Sequence, residues 1–456
     1  MKQERGNFGS KLGMILAAAG SAVGLGNVWR FPTETGENGG GAFILLYIVC
    51  LLFFGLPVMV SEFVIGRSAR LSAGFAYHHH APTPLWRWFG RFQVLIPFLI
   101  LCYYNVVAGW TLFYLVEAVR GTLDAVPAQA FAPFFADFTS NPWLQVGYFF
   151  AFMALTHAIV VQGVSKGIER FSKVLMPGLF IILLILVGCS LTMPKAQEAV
   201  DFLFTFDFSK ITAHTVLAAM GQAFFSLSLG MGILSTYASY FKRDAVLGTS
   251  ALTIAGVDTA VALLAGLMIF PAVFSVGVAP DEGPTLIFIA LPSVFQSAFS
   301  SWPWLGTLFS IAFYALLVLA TLTSSISIHE VVTAYITEAT HCSRRKAASC
   351  VTIACFALGL LCALSFGPLK DVHLWGMTFF DLFDFVTAKL MLPISGFIIS
   401  LFAAWRLSRT TWEAELTNDG TRRFPLRRLL FVMLRYVCPI GILLMFLNEL
   451  GWMKLL

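Results

Sequence analysis

The stretch AAAGSAVGLGNVWRFP, residues 17–32, decides how the rest of this chain is interpreted. It places Gly20, Gly24 and Gly26 inside an otherwise apolar segment and follows them with the polar Asn27. A glycine in a helix interior costs about 1 kcal/mol relative to alanine, so three of them within one membrane span predict a helix that unwinds and turns its backbone toward a ligand. The alternative is close packing of helices through small residues, as in GxxxG interfaces.

A second stretch of the same kind, GQAFFSLSLGMGILSTY, occupies residues 221–237. Small and hydroxyl residues again interrupt an apolar pattern: Ser226, Ser228, Gly230 and Gly232. The two interruptions fall in the first helices of two five-helix sets, residues 11–191 and 214–405. Such a pair points to an inverted repeat with a binding site between the broken helices. Freed N–H groups suit an anionic ligand group and freed carbonyls suit a small cation, so a zwitterion with sodium would fit.

Composition places the whole chain in a membrane. Of 456 residues, 58% are hydrophobic and 12% charged, and mean hydropathy is +0.82, whereas a soluble domain is about half apolar and about a quarter charged. A soluble enzyme is therefore excluded. Eleven apolar segments are predicted to cross the bilayer as helices, for which roughly 20 residues are needed. These spans one to eleven are residues 12–35, 41–66, 92–119, 143–161, 171–191, 214–240, 245–274, 304–336, 351–366, 375–405 and 429–447.

The basic residues between the spans predict their orientation. If the N-terminus is cytoplasmic, the inner segments hold most of the lysines and arginines, and the outer segments hold only Arg120, Lys195, Lys210, Lys370 and Lys454. The positive-inside rule therefore predicts a cytoplasmic N-terminus and, with an odd number of spans, a C-terminus outside. We expect no removable signal peptide, because no small-residue cleavage site follows the first apolar segment, and no extracellular disulfide.

Five ordered motifs carry a resemblance to a known family. They are GSAVGLGNVWRFP (20–32), ENGGGAF (37–43), FFSLSLGMG (224–232), TYASY (236–240) and LTSSI (322–326). The chain resembles the neurotransmitter:sodium symporter family, and specifically its bacterial amino-acid transporters with eleven spans. The resemblance implies an all-α integral membrane protein of the leucine-transporter (LeuT) type in a bacterial inner membrane. It implies one domain, residues 1–456, with a 5+5 inverted repeat, broken helices one and six, and an eleventh helix within 424–456.

The resemblance implies two sodium sites built from oxygen atoms. The first would use the Ala22 carbonyl, the side chains of Asn27, Ser226 and Asp258, and the carboxylate of the substrate. The second would use the carbonyls of Gly20, Val23 and Ala320 and the hydroxyls of Thr323 and Ser324. Hard oxygen donors suit a hard cation. The alternative for the two hydroxyls is hydrogen bonding between helices.

The resemblance also implies an amino-acid substrate. Its carboxylate would meet the N–H groups of Leu25 and Gly26 and the Tyr104 hydroxyl, and its amino group the carbonyls near Ala22, Phe225 and Ser228. The side-chain pocket would comprise Ile100, Tyr104, Phe225, Met231, Ser324 and Ile328. This apolar lining favours a hydrophobic or aromatic amino acid. Monoamine-transporting relatives carry aspartate where this chain has Gly24, so the substrate is expected to bring its own carboxylate.

Charged residues within the spans are candidates for gates, because such charges are costly in a bilayer. By resemblance, Arg30 and Asp384 form the extracellular gate pair, with Gln222 nearby. Arg5 and Glu338 match the cytoplasmic pair, where the family more often has aspartate at the acidic position, and Tyr240 would support that gate. The sequence assigns no role to two further intramembrane cations, Lys389 and Arg435.

Asp258 differs from the animal members of the family, which have asparagine at this position and need chloride. A carboxylate supplies the negative charge from the protein itself, so we predict transport without a chloride requirement. A protonatable acid at this position also leaves proton counter-transport open.

Two other functions remain compatible with the sequence. One is a proton-coupled amino-acid transporter of the same fold, in which a lysine in span five tends to replace the second sodium; residues 174–188 contain no lysine. The other is a sodium-dependent amino-acid-binding sensor. No cluster of acids, histidines or metal ligands indicates an enzyme. The expected partners are an amino acid, sodium ions and the lipid bilayer, with no nucleic acid.

Overall fold

The computed structural model describes residues 6–276 and 286–452, and helices make up most of this part of the chain. Nine of the described helices are long and apolar enough to cross a membrane. They are spans two to five and seven to eleven: Gly41–Ala69, Pro84–Arg120, Pro142–Val160, Val164–Ser190, Leu247–Val276, Pro303–Thr340, Arg344–Leu364, Phe379–Arg406 and Arg427–Glu449. Span one is a bent pair, Lys11–Ala22 and Gly26–Glu37, whose halves meet at 55°. The predicted all-helical membrane fold is confirmed.

Span six consists of two short helices, Ala213–Ser226 and Ile233–Ala238. Between them the backbone turns through the left-handed region, with φ of +53° at Ser228, +81° at Gly230 and +68° at Gly232. Glycine adopts these angles without steric cost, whereas serine adopts them only where its surroundings hold it there. The interruption predicted from the small residues of span six is therefore confirmed.

The broken spans lie inside the bundle. The first half of span one packs against spans five, seven and eight, and both halves of span six pack against span two. Large apolar side chains on the other spans, such as Leu95, Phe150, Ile181 and Ile353, are exposed. Apolar exposure on this scale is expected of a surface that meets lipid.

Two helices begin well before the predicted spans. Span three starts at Pro84 instead of residue 92, and span nine starts at Arg344 instead of residue 351. The added turns carry arginines, such as Arg87 and Arg91, which lower hydropathy without opposing helix formation. A hydropathy window locates the apolar part of a helix, so it misses a charged turn that continues it.

Candidate functional site

Span one is unwound at Val23 and Gly24, between its two halves. The second half begins at Leu25 and Gly26, so the N–H groups of these residues have no acceptor within their own helix. Such a helix start attracts negative charge. A Cβ atom on Gly24 would lie 2.6 Å from Ser324 Oγ and 3.4 Å from Tyr104 Oη. Glycine therefore keeps the space beside these two hydroxyls open.

Glu62 of span two holds the break in span six. Its fully buried carboxylate accepts a hydrogen bond from the Gly230 N–H at 2.9 Å. It also accepts from the N–H and the hydroxyl of Ser235, at 3.4 and 3.1 Å. Ser228 Oγ donates to the Ser21 carbonyl at 2.9 Å, which links the two breaks to each other. Side chains of the protein itself therefore satisfy the N–H groups of Gly230 and Ser235 and the Ser21 carbonyl.

A cavity of about 600 Å³ lies between the two breaks. Its wall includes all ten residues that the sequence predicts for the substrate: Ala22, Leu25, Gly26, Ile100, Tyr104, Phe225, Ser228, Met231, Ser324 and Ile328. The Tyr104 hydroxyl is buried and makes no hydrogen bond with the described residues. Leaving a buried hydroxyl unpaired costs about 1–3 kcal/mol, so a group in this position is well suited to a ligand that accepts a hydrogen bond.

Asp258, in span seven, is the centre of a buried polar network beside this cavity. Its Oδ1 accepts a hydrogen bond from Asn27 Nδ2 at 2.7 Å. Its Oδ2 accepts from Ser226 Oγ at 2.7 Å and from Tyr47 Oη at 3.1 Å. The three side chains predicted for the first sodium site therefore meet, and Ala22, the fourth predicted ligand, lines the adjoining cavity. One carboxylate among neutral oxygen donors suits a monovalent cation.

Span eight meets span one through the residues predicted for the second sodium site. Ser324 Oγ donates to the Val23 carbonyl at 3.2 Å, and Thr323 Oγ1 donates to the Ala320 carbonyl at 2.9 Å. A Cβ atom on Gly20 would lie 3.3 Å from Thr323 Cβ, so these two positions are in contact. The five predicted ligands are thus adjacent. The Val23 and Ala320 carbonyls, which accept these hydrogen bonds, are two of the oxygens predicted to coordinate the ion.

Arg30 and Asp384, the predicted gate pair, line the same cavity. Arg30 Nε lies 3.4 Å from Glu34 Oε1, and its guanidinium carbon lies 4.7 Å from the centre of the Phe225 ring. Within the described ranges, no ion pair closer than 4.0 Å joins Arg30 to Asp384. Gln222 Nε2 donates to the Gly26 carbonyl at 3.3 Å and so connects the two broken spans. Direct pairing of Arg30 with Asp384 stays a prediction.

The predicted cytoplasmic gate is described in part, since Arg5 lies outside the described residues. Glu338, at the end of span eight, accepts hydrogen bonds from Ser72, at 3.0 and 3.1 Å from its N–H and at 2.5 Å from its hydroxyl. These contacts connect span eight to the segment after span two.

Tyr240, Glu330 and Arg344 form a polar network. Sequence reasoning predicts a gate role for Tyr240 and misses Glu330 and Arg344. Tyr240 Oη donates to Glu330 Oε1 at 2.7 Å, and the fully buried Glu330 forms an ion pair with Arg344. Phe8 packs edge-on against the Tyr240 ring, 6.1 Å away. A signal for Glu330 existed, because it is the only acid within the apolar stretch 326–336 of span eight. Tyr47, also missed, carries no such signal.

A bundle of apolar spans in which two broken helices enclose an oxygen-lined cavity is the architecture of a secondary transporter. Comparison with known proteins agrees. The model of the sodium:neurotransmitter symporter family matches residues 5–128 and 145–455. The sodium-dependent transporter YhdH of Bacillus subtilis is 40% identical over 450 residues, 99% of each chain. A sodium-dependent transporter of Haemophilus influenzae is 34% identical over 459 residues, which cover 98% of this chain and 99% of that protein.

A solved structure extends the similarity to three dimensions. The crystal structure of MhsT in complex with L-phenylalanine matches with a TM-score of 0.87 and 43% identity, covering 98% of this chain and 100% of that one. The chain belongs to the sodium:neurotransmitter symporter family. It is therefore a sodium-dependent membrane transporter and not an enzyme, as the sequence motifs predict.

Proposed function

We propose that this protein is a sodium-coupled symporter of hydrophobic or aromatic amino acids that works by alternating access. The proposal rests on the cavity wall, which combines hydrogen-bond donors with apolar side chains. The hydrogen-bond donors suited to a carboxylate are the N–H groups of Leu25 and Gly26 and the Tyr104 hydroxyl. The side chains suited to an apolar group are Ile100, Phe225, Met231 and Ile328. Donors beside an apolar wall match a zwitterion with an apolar side chain.

The absence of an acidic side chain at Gly24 supports an amino acid over a bare amine. An amine without a carboxylate would leave the Leu25 and Gly26 N–H groups and the Tyr104 hydroxyl unpaired in a buried site, at about 1–3 kcal/mol for each group. The similarity to MhsT, whose structure contains L-phenylalanine, supports an aromatic substrate.

Two sodium ions are the proposed co-substrates. At the first site, the ion would join Asp258 to the substrate carboxylate, so each would strengthen the binding of the other. At the second site, the ion would hold the first half of span one to span eight, through the oxygens around Thr323. Lys173, the basic residue nearest the apolar part of span five, lies 2.7 Å from Glu169. Because Lys173 is paired with Glu169, it is not available to replace the second sodium. The ion pair therefore favours sodium coupling over a lysine-based proton mechanism.

Asp258 also supports transport without chloride, because its carboxylate provides the negative charge beside the first sodium. We further propose that the two sets 11–191 and 214–405 form an inverted repeat. The bias of basic residues supports a cytoplasmic N-terminus and an outer C-terminus in the inner membrane of a bacterium.

The test is uptake of a mixture of labelled amino acids into proteoliposomes containing the purified protein. An inward sodium gradient is compared with an equal potassium gradient, in chloride and in gluconate. We expect hydrophobic and aromatic amino acids to accumulate only with sodium, to the same level in both anions. Sodium-dependent binding without accumulation would identify a sensor. Accumulation driven equally well by a proton gradient would identify a proton-coupled transporter.

A further inference from the structure

Arg435 is an exposed cation on a lipid-facing surface of span eleven. The same part of the span exposes Leu429, Val432 and Ile440. An arginine at the centre of a membrane span costs about 2.5–3.5 kcal/mol on insertion scales, so its guanidinium group is expected to reach a polar environment. Within residues 6–276 and 286–452, Arg435 forms no ion pair with an acidic side chain. No carboxylate of the described residues therefore neutralises its charge.

The Arg435 side chain places its charge at the edge of the apolar layer. In a helix, the Cα–Cβ bonds tilt toward the N-terminus, which in span eleven is the arginine-rich end at Arg427. The guanidinium carbon lies 3.9 Å from the centre of the Trp405 ring and 5.7 Å from that of Tyr436. Trp405 is 57% exposed and is one residue from the end of its own span. Exposed tryptophan and tyrosine concentrate at the depth of lipid headgroups.

The acids near this surface are already engaged. Residues 405–436 contain seven arginines and three acids. Glu413 lies 3.5 Å from Arg427, Glu415 pairs with Arg67 and Arg243, and Asp419 lies 3.9 Å from Arg243. The arginines of this segment without an acidic partner among the described residues are Arg406, Arg409, Arg422, Arg423, Arg428 and Arg435. The surface therefore carries an excess of positive charge that local carboxylates do not neutralise.

We propose that Arg435, stacked on Trp405, binds the phosphate of an anionic phospholipid headgroup. A guanidinium group presents paired N–H donors in a plane that matches phosphate oxygens, and the indole face holds that plane in place. Ile440 and Leu443, farther from the arginine-rich end of the span and exposed, would contact the acyl chains. Arg406 and Arg428 are near the same ends of their spans and would add to the attraction. This inference goes beyond the transport function and requires only that spans ten and eleven cross the bilayer.

The test measures thermal unfolding of the purified full-length protein in neutral detergent. Phosphatidylglycerol, phosphatidylcholine and inorganic phosphate are titrated separately into the wild type and the variants. We expect phosphatidylglycerol to raise the unfolding midpoint and the other two additions to leave it unchanged. Arg435→Gln should weaken the apparent affinity for phosphatidylglycerol about fivefold, which corresponds to the about 1 kcal/mol that one basic residue contributes near an anionic membrane surface. Arg435→Lys keeps the charge and loses the planar stack, so it should weaken affinity by a smaller factor.

Arg409→Gln is the matched control, since it removes one cation from the same end of the helices without touching Trp405. An equal loss in Arg409→Gln and Arg435→Gln would overturn the proposal, because it would indicate diffuse charge attraction alone. An equal rise with inorganic phosphate would identify a free-anion site and also overturn it. Native mass spectrometry of phosphatidylglycerol bound to the same variants gives a second measurement that does not depend on stability. No preference for phosphatidylglycerol over phosphatidylcholine in the wild type would contradict the site outright.

Discussion

Asn27 and Asp258 join span one to span seven through two hydrogen bonds, in which Asn27 Nδ2 donates to Asp258 Oδ1 at 2.7 Å and to its main-chain carbonyl at 3.1 Å. The other amide atom, Asn27 Oδ1, accepts from the Gly24 N–H at 3.0 Å. One side chain therefore connects the carboxylate of span seven to the unwound backbone of span one. An ion that binds the Asp258 carboxylate would change the hydrogen bonds of Asn27 and, through them, the position of the segment beside Leu25.

Replacing Asp258 by asparagine should make transport dependent on chloride. The substitution keeps the shape of the side chain and removes its charge, and a unit charge about 4 Å away is worth about 4 kcal/mol at an effective dielectric constant of about 20. We expect sodium-driven uptake by Asp258→Asn to fall at least about tenfold when gluconate replaces chloride. Asp207→Asn, in an exposed segment, is the control and should transport equally in both anions. Anion-independent uptake by Asp258→Asn would refute the prediction.

Tyr104→Phe should raise the KM for amino-acid uptake. The variant removes only the buried, unpaired hydroxyl that faces the cavity. A hydrogen bond to a charged group contributes about 1.5–3 kcal/mol, so KM should rise by about 10- to 150-fold. The measurement is initial uptake at a saturating sodium concentration. Tyr148→Phe, in which the ring packs against Phe113 away from the cavity, should leave KM unchanged. A KM for Tyr104→Phe within twofold of the wild type would show that the hydroxyl does not bind substrate.

Thr323→Val should weaken sodium binding, and span eight provides a close control. Thr323 and Thr321 both donate to carbonyls of their own helix, and the side chain of Thr323 is among the atoms nearest to Gly20 of span one. Loss of one oxygen ligand should raise the sodium concentration for half-maximal uptake about tenfold, the scale of a contact worth about 1.5 kcal/mol. Thr321→Val, which loses a hydroxyl of the same kind, should leave this concentration unchanged. Equal effects in the two variants would indicate a helix-packing role for both.

Gly24→Ala should reduce uptake while leaving the protein folded. The added Cβ would lie 2.6 Å from Ser324 Oγ, a side-chain atom that can move aside, and would take space next to the Tyr104 hydroxyl. We expect KM to rise about 5- to 150-fold, because overpacking of this kind costs about 1–3 kcal/mol. The thermal unfolding midpoint in detergent is measured alongside. Gly147→Ala, at a position in span four where a Cβ meets nothing within 4 Å, should match the wild type in both measurements.

The sequence predicts the breaks in spans one and six because glycine and serine lower the stability of a helix at those positions, whatever packs against it. It does not predict Tyr47, since a tyrosine in an apolar span is unremarkable until span two is placed beside span seven and its hydroxyl reaches Asp258. The contact between Arg30 and Glu34 depends likewise on a rotamer choice that sequence does not determine. Starting points of helices are missed where arginine-bearing turns continue a span beyond the apolar layer, as at Pro84.

Glu62 has a consequence for the energetics of binding. By accepting hydrogen bonds from Gly230 and Ser235, it keeps span six open at its centre with a carboxylate that is part of the chain. The free-energy cost of interrupting that helix is therefore offset once, during folding, and does not recur when a ligand binds. A preorganised receptor loses less conformational entropy on association. Solute and ions would then find the part of their binding surface that span six contributes already formed.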